Sequence, residues 1–209
     1  IGDVRDKEKL NEIIKGHTLV IHAAATKIVP TAEHNPSECI KTNIDGALNV
    51  IDACVNNNIK KTIALSTDKA CNPVNLYGAT KLASDKLFLS ANNIEPNKKK
   101  FSILRYGNVI GSRGSIVPFF INQAKYNNHL TITDKKMTRF MISREDAVKM
   151  LWEVNTKMYG GEIFVKKLPS MNIVEIARTI SPSSKIKIIG IRPGEKIHEQ
   201  MISSADSYN

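Results

Sequence analysis

The feature that most constrains this chain is a recurrence. A short apolar run stops on small or polar residues, and a helical pattern follows. The runs are HTLVIHAAA (17–25), KTIALST (61–67) and FSILRYGNVIG (101–111). Short, nearly continuous apolar runs of this kind suit strands covered on both faces, as in a parallel sheet. Between them, residues 36–57 space Cys39, Ile40, Ile44, Ala47, Leu48, Ile51 and Val55 at helical intervals, and residues 77–91 do so with Leu82, Leu87 and Leu89. The opening GDVRD reads as a strand end, and KEKLNEIIKG as a short helix closed by Gly16. Strands and helices that alternate in this way predict an α/β fold, a doubly wound parallel sheet with right-handed crossovers. Ligands of such sheets bind beyond the carboxyl ends of the strands. IHAAA, LSTDKA and RYGNVIG all carry their small or polar residues there, so the three motifs converge on one crevice.

Beyond residue 115 the pattern changes. VPFFINQAKYN reads as a helix, LTITD as a short strand, and a helix follows MTRFMIS from residue 143 to about 158. GEIFVKK reads as a strand, PSMNIVEIARTI as a helix capped by Ser170, and KIKIIGI as a strand running into RPGEKIHEQ. These later pieces form a smaller α/β lobe positioned to close over the crevice. No internal repeat and no low-complexity tract interrupts the chain.

A length of 209 residues, 42% hydrophobic and 24% charged, suits one domain with a full core and a small appended lobe. The net charge of +10 is dispersed apart from Lys98-Lys99-Lys100, and aromatics do not interleave with the basic residues. That argues against a nucleic-acid surface and for solvated faces. No apolar run is long enough to span a bilayer, and no signal-peptide pattern opens the chain. The chain begins with Ile1, inside an apparent strand end, which reads as a fragment. Cys39, Cys54 and Cys71 fit no metal spacing, so free thiols in a reducing cytoplasm are expected. His22 reads as a core residue. His198 and Glu199 lack a further ligand at metal spacing, so no metal site is expected.

The chemistry concentrates in STDKACNPVNLYGATK, residues 66–81. Tyr77 and Lys81 stand at i and i+4 and share a helix face. A tyrosine phenol titrates near 10, too high for a base at neutral pH. A nearby ammonium and a positively charged nicotinamide ring favour the phenolate. The tyrosine then takes a proton from a hydroxyl while hydride leaves the same carbon.

Taken with IHAAA, TNIDGALNVIDAC, LST, YGATK and RYGNVIGSRG, in that order, the sequence resembles the extended short-chain dehydrogenase/reductase family. The resemblance is closest to the sugar-nucleotide 4,6-dehydratases, and among them to the inverting UDP-N-acetylglucosamine 4,6-dehydratases of pseudaminic acid biosynthesis. STDKACNPVNLYGATK, RYGNVIGSRGSIVPFF, MTRF, GGEIFV, PSM and IIGIRPGEKIHE carry it over nearly the whole chain. It implies a Rossmann-like fold, with residues 1–114 a partial dinucleotide-binding domain. Residues 115–209 would be mainly a substrate-binding lobe with interleaved Rossmann elements. The family's first strand, glycine-rich turn and second strand have no counterpart here. The turn would hold the cofactor pyrophosphate at a helix N-terminus, so the fragment alone is expected to bind dinucleotide poorly.

The resemblance also implies roles. Oxidation at C4 of the sugar acidifies the C5 hydrogen. A base then removes that hydrogen, and an acid protonates the leaving hydroxyl on C6. The common dehydratases carry Asp-Glu after Ser-Thr; Asp68-Lys69 matches the inverting type, with Asp68 as acid and Lys69 as base. The base must be neutral, which burial or the charge of Lys81 would favour, and the acid protonated, which burial would favour. Thr67 hydrogen-bonds the substrate O4 or orients Tyr77. Asp3 and Val4 would meet adenine, while Ala23, Ala24, Ala25, Tyr77, Lys81 and Tyr106 complete the cofactor set. NADP is expected, with NAD also open. Lys27 and Asn108 face the sugar, and Arg113 and Arg139 are candidates for phosphate contact, since a guanidinium matches phosphate bidentately. Arg192 and Glu195 would meet the diphosphate and the uridine ribose.

The expected partner is UDP-N-acetylglucosamine, without nucleic acid or membrane, in a cytoplasmic homo-oligomer serving cell-surface or flagellar glycans. Three rivals stay open. A C5-retaining dehydratase differs in product configuration. A UDP-sugar 4-epimerase leaves Asp68-Lys69 unexplained, and a non-catalytic Rossmann module usually lacks the Tyr or the Lys.

Overall fold

The computed structural model describes residues 2–96, 98–127 and 129–208. In chain order the first elements are α1 (Lys7–Ile13), β1 (Leu19–His22), α2 (Val29–His34), α3 (Pro36–Ile40) and α4 (Gly46–Asn56). Next come β2 (Lys61–Thr67), α5 (Leu76–Ser90), β3 (Lys100–Tyr106), β4 (Asn108–Val109) and α6 (Ile116–Tyr126). The chain continues through β5 (His129–Ile132), β6 (Thr138–Ile142), α7 (Arg144–Lys157) and β7 (Ile163–Val165), then β8 (Ser170–Asn172), α8 (Ile173–Ile180) and β9 (Lys185–Ile188).

The main sheet is parallel throughout, in the order β1-β2-β3-β7. Its register sets Ser66 beside Arg105 and Thr67 beside Tyr106, so the polar ends of β2 and β3 lie level. Side chains alternate across the pleat. Ala64, Phe101 and Ile103 meet α1, α4 and α5 through Leu10, Ile14, Val50, Ile51 and Phe88. Ile63 and Leu104 point the other way, to Met150 and Val154 of α7. With both faces covered, the strands read as continuous apolar runs rather than alternating ones. The smaller lobe has its own core, where Phe120 of α6 and Ile173, Ile176 and Ala177 of α8 enclose Leu130, Ile132 and Met141. It joins the site through β4, which pairs parallel with β6, while β6 pairs antiparallel with β8.

The expected α/β parallel sheet is therefore present, with local differences. GDVRD forms a turn rather than a strand end. The Arg5 side chain and backbone N–H reach back to the Asp3 carboxylate and fold it. The predicted helix 36–57 contains a π-helical stretch, Lys41–Asp45, between α3 and α4. Helix α8 is capped by Asn172, whose side chain accepts from Val174 N, not by Ser170. Ser170 is instead held as strand by pairing with Phe140. Helix α2 follows no periodic apolar signal and starts at Val29-Pro30, where proline suits the first helical turn. Among the described residues no helix is long and apolar enough to cross a membrane.

Candidate active site

Strand β2 ends at Thr67, still extended, and the chain turns at once into a single 3-10 turn, Asp68–Ala70. The Thr67 hydroxyl caps this turn, accepting from Lys69 N at 3.3 Å and donating to Asp68 Oδ1 at 3.0 Å. Helix α5 then begins behind it, with Asn75 accepting from Gly78 N at 2.8 Å. Gly78 has no room for a side chain, because a Cβ there would lie 2.3 Å from the Lys69 carbonyl oxygen and 3.0 Å from Pro73 Cβ. The helix start and the Asp68-Lys69 turn are thus in backbone contact, which fixes Tyr77 against the pair. Gly→Ala inside a helix ordinarily stabilises by about 1 kcal/mol. Here Gly78→Ala is expected to lower the thermal midpoint instead, and to impair turnover by displacing Lys69. A melting curve that rises would contradict this packing.

Asp68 is fully buried, and its Oδ2 has no hydrogen-bond partner among the described residues. Lys69 Nζ lies 3.1 Å from Asp68 Oδ1, 3.4 Å from Asn108 Oδ1 and 3.8 Å from Glu199 Oε1. Asn108 gets there because Gly107 lets β4 lie on β6, since a Cβ at Gly107 would sit 2.5 Å from Phe140 Cβ. Glu199 arrives from the C-terminal segment, is buried, and has Lys196 Nζ 3.4 Å from its other oxygen.

Tyr77 and Lys81 are buried on the inner face of α5. Burial pushes the Tyr77 phenol well above its ordinary value; a hydrogen bond with Thr67 opposes this, and the negative charge of Asp68 adds to it. The expected lowering by Lys81 does not follow from this geometry. Its ammonium donates to the Leu65 carbonyl at 2.8 Å, and burial pulls its own titration down while Asp85 pulls it up. Asp85, one turn further along, accepts from Ser66 Oγ at 2.7 Å and pairs with the buried Arg105 at 3.3 Å. Arg105 also reaches Asp206 at 2.8 Å and the Met201 carbonyl at 3.0 Å. A chain of buried charges therefore runs from Lys81 to the C-terminal segment.

The remaining predicted residues fall in several places. Ala23 and Ala24 follow β1 with exposed side chains, and Ala25 is half-buried. With Val4, Val20, Ile21 and His22 the first two line an open cleft of about 320 Å³ along the β1 edge. Among the described residues β1 pairs with β2 only, leaving that edge open. Tyr106 is half-buried at the end of β3. Asp3 borders the same region, but its carboxyl is committed to Arg5, whose hydrogen bonds hold it down at about 2. Lys27 is exposed and donates to Ser112 Oγ at 3.3 Å, joining the loop after β1 to the GSRGS turn. Arg113 in that turn is exposed. Arg139 is buried and spends Nη1 on the carbonyls of Thr138 and Ile197. Arg192 and Glu195 pair with each other.

Two residues that the sequence reading gave no role in this site stand beside it. One is Glu199. The other is buried Asn43, in the π-helical stretch, which accepts from Thr26 N at 2.8 Å and donates to Thr26 O and Thr80 Oγ1, both at 3.0 Å. It clamps the loop after β1 to α5, one residue from Lys81. The surplus turn of a π-bulge is a frequent mark of functional sites. A polar residue amid the apolar positions of 36–57 was its only sequence signal.

Known proteins resemble this chain over its whole length. The chain is 63% identical over 210 residues to the UDP-N-acetylglucosamine 4,6-dehydratase (inverting) of Campylobacter jejuni subsp. jejuni serotype O:23/36, strain 81-176. The match covers all of this chain and 63% of that protein, so the chain spans less than two thirds of its relative. The X-ray structure of Pen from Bacillus thuringiensis superposes with a TM-score of 0.94 at 36% identity, covering 100% of this chain and 68% of that one. The crystal structure of the dTDP-glucose 4,6-dehydratase DesIV from Streptomyces venezuelae, with NAD and TYD bound, shares the fold, with a TM-score of 0.86 at 19% identity. It covers 96% of this chain and 69% of that one. The family model described as "Polysaccharide biosynthesis protein" matches residues 1–209. On that full-length match, the chain belongs to the polysaccharide biosynthesis protein family.

Proposed function

We propose that this chain carries the catalytic residues of an inverting UDP-N-acetylglucosamine 4,6-dehydratase. The observation that carries the reading is the 3.1 Å contact between Lys69 Nζ and the buried Asp68 carboxylate, set one residue beyond the Thr67 cap and against Tyr77. An amine and an acid in contact can remove a proton from one carbon and deliver one to the oxygen on its neighbour. The elimination takes H5 to Lys69 as the C6–O bond breaks, and the proton of Asp68 leaves with that oxygen as water. The pair then stands as an ammonium and a carboxylate. The Lys69 ammonium, after exchange with solvent, protonates C5 as C6 is reduced, and Asp68 regains its proton from solvent, which returns the pair to its starting form. An epimerase has no use for such a pair. The Campylobacter relative named for this reaction, at 63% identity, supports the same reading.

The residues present fit the nicotinamide and ribose side of a dinucleotide. Exposed Ala23 and Ala24 leave an apolar floor without bulky side chains, and Lys81 and Tyr77 bring an ammonium and a phenol behind it. Among the described residues no glycine-rich turn faces the cleft, so these residues hold that end only. A bound nicotinamide supplies the acceptor and donor for hydride, taken from C4 and returned to C6. Its positive ring also offsets the burial that holds the Tyr77 phenol up. Our reading takes NADP as the cofactor, with NAD the outcome that a binding titration of the full-length gene product distinguishes. Thr67, whose hydroxyl donates to Asp68 at the end of β2, either binds the substrate O4 or orients the Tyr77 phenol in this reading. Lys27, Asn108 and Arg113 border the crevice where a sugar diphosphate lies in this reading, with Arg192 and Glu195 exchanging their mutual contact for the nucleotide.

The buried free thiols of Cys39, Cys54 and Cys71 suit a reducing cytoplasm. Exposed Ile40 and Leu48 on the 36–56 helical rod suit a second subunit, which light scattering would detect. The test of the function is product identity. Incubated with UDP-N-acetylglucosamine, the full-length gene product is expected to yield a nucleotide sugar lacking one water, with a 4-ketone and a 6-methyl group by NMR. Recovery of the C4 epimer alone would replace this reading with the epimerase.

A further inference from the structure

We propose that Glu199 is a positioning residue for Lys69, holding its amine over the crevice and setting the proton balance of the Asp68-Lys69 pair, with Lys196 as counter-charge. This inference rests on the proposed function for its consequence, but not for its geometry.

Glu199 is buried although nothing apolar requires a carboxylate there, and one oxygen faces Lys69 Nζ at 3.8 Å. The other oxygen lies 3.4 Å from Lys196 Nζ yet has no hydrogen bond, while Lys196 donates to the Cys71 carbonyl at 2.7 Å. A buried carboxylate so poorly satisfied costs stability. What it gains is a fixed charge beside the base.

The placement is built rather than incidental. The segment that carries Glu199 is tied down on both sides of it. Before it, Asn75 Nδ2 donates to Gly194 O at 2.7 Å. After it, Asn72 Nδ2 donates to Gln200 Oε1 at 2.6 Å, and Arg105 binds Met201 O and Asp206. Asn72 and Asn75 flank the Pro73 turn between Lys69 and Tyr77, so the segment is anchored to the same turn that carries the base.

The groups around Lys69 can be named from every side. Asp68 shares its turn and Tyr77 stands on α5. Lys27 comes from the loop after β1, where its own titration is lowered first by burial and then by the charge of Lys69. Glu199 and Lys196 come from the C-terminal segment, and Asn108 supplies a neutral oxygen from β4. Glu199 is thus the one carboxylate near Lys69, among the described residues, that comes from outside the Asp68-Lys69 turn. Asp68 cannot serve both as the acid and as a constant partner. A second carboxylate keeps the amine in place while Asp68 gives up its proton, and Lys196 keeps that field from locking the amine as ammonium.

The test reads Lys69 itself. The full-length gene product is labelled with trace acetic anhydride, which acetylates only the neutral amine, and the Lys69 peptide is quantified by mass spectrometry against the surface lysines. Glu199→Gln is expected to raise the labelling rate at fixed pH by about tenfold, the scale of one opposite charge within a few ångströms. The acid-side limb of its kcat/KM profile should move to lower pH by about one unit, and Glu199→Asp should restore both. Lys196→Met removes the counter-charge and should slow labelling by about threefold, which decides the matter if Glu199→Gln does not fold. A folded Glu199→Gln, or Lys196→Met in its stead, with Lys69 labelling unchanged would overturn the inference. Labelling proceeds whether or not a nucleotide sugar is turned over. A failed turnover assay therefore removes the proposed function and leaves this inference standing, while unmoved labelling does the reverse.

Discussion

Lys69→Ala and Asp68→Ala each cut the dehydration rate of the full-length gene product by about 10²- to 10⁴-fold, the span that general acid–base groups supply. Binding of the nucleotide sugar should stay within about threefold of the parent, because neither group is asked to hold the diphosphate. The two losses should not multiply. Lys69 and Asp68 stand 3.1 Å apart and act as one pair in the proposed elimination, so removing either should already disable it, and the double variant should lose little beyond the worse single one. Steady-state rates with isothermal titration of the substrate check both points. Near-parental turnover in either single variant would end the acid–base assignment.

Arg105→Met produces the second large effect, on stability. Arg105 is 1% exposed and holds Asp85 at 3.3 Å and Asp206 at 2.8 Å. Burial raises the Asp85 titration despite the help of Lys81, Ser66 and Arg105, so this carboxylate has little reserve when its partner is lost. Breaking one side of a buried ion pair typically costs about 3–5 kcal/mol, because a charge is left without compensation. The loss should appear as a lowered urea midpoint at unchanged slope. Arg105→Met combined with Asp85→Asn should recover part of it, since the neutral amide still accepts from Ser66. The variant should also release the C-terminal segment that Met201 and Asp206 anchor, seen as faster amide exchange over residues 196–206. Equal stability of parent and variant would mean that the network contributes no net charge compensation.

Much of the fold was legible because its cause is local. KTIALST became β2 over the predicted 61–67, since a run buried on both faces has one way to lie in a parallel sheet. The Tyr-x-x-x-Lys spacing also marked a helix, which the structure forms as α5 over Leu76–Ser90. What escaped depends on partners distant in sequence. The π-helical stretch leaves no mark in apolar spacing, and its reason, Asn43 reaching Thr26 and Thr80, lies 17 and 37 residues away. The sequence points to Ser170 as the cap of α8, but Ser170 pairs with Phe140 as strand and Asn172 takes the cap. Arg139 has the chemistry of a phosphate ligand, and the sequence did not show that its Nη1 also donates to the Thr138 and Ile197 carbonyls. Glu199 was visible only as part of a failed metal motif, because the residue it serves is 130 positions earlier. Titration was least legible of all. The i, i+4 spacing of Tyr77 and Lys81 gives a shared face, but not how deeply both are buried.

The measurement that bears most directly on the central claim is proton NMR of the full-length gene product acting on UDP-N-acetylglucosamine in deuterated water. If Lys69 and Asp68 carry out the elimination with inversion, the product is a 4-keto-6-deoxy sugar with deuterium at C5 and the L-arabino configuration. The same product with the D-xylo configuration, or C4 epimerisation with no deuterium at C5, would contradict it.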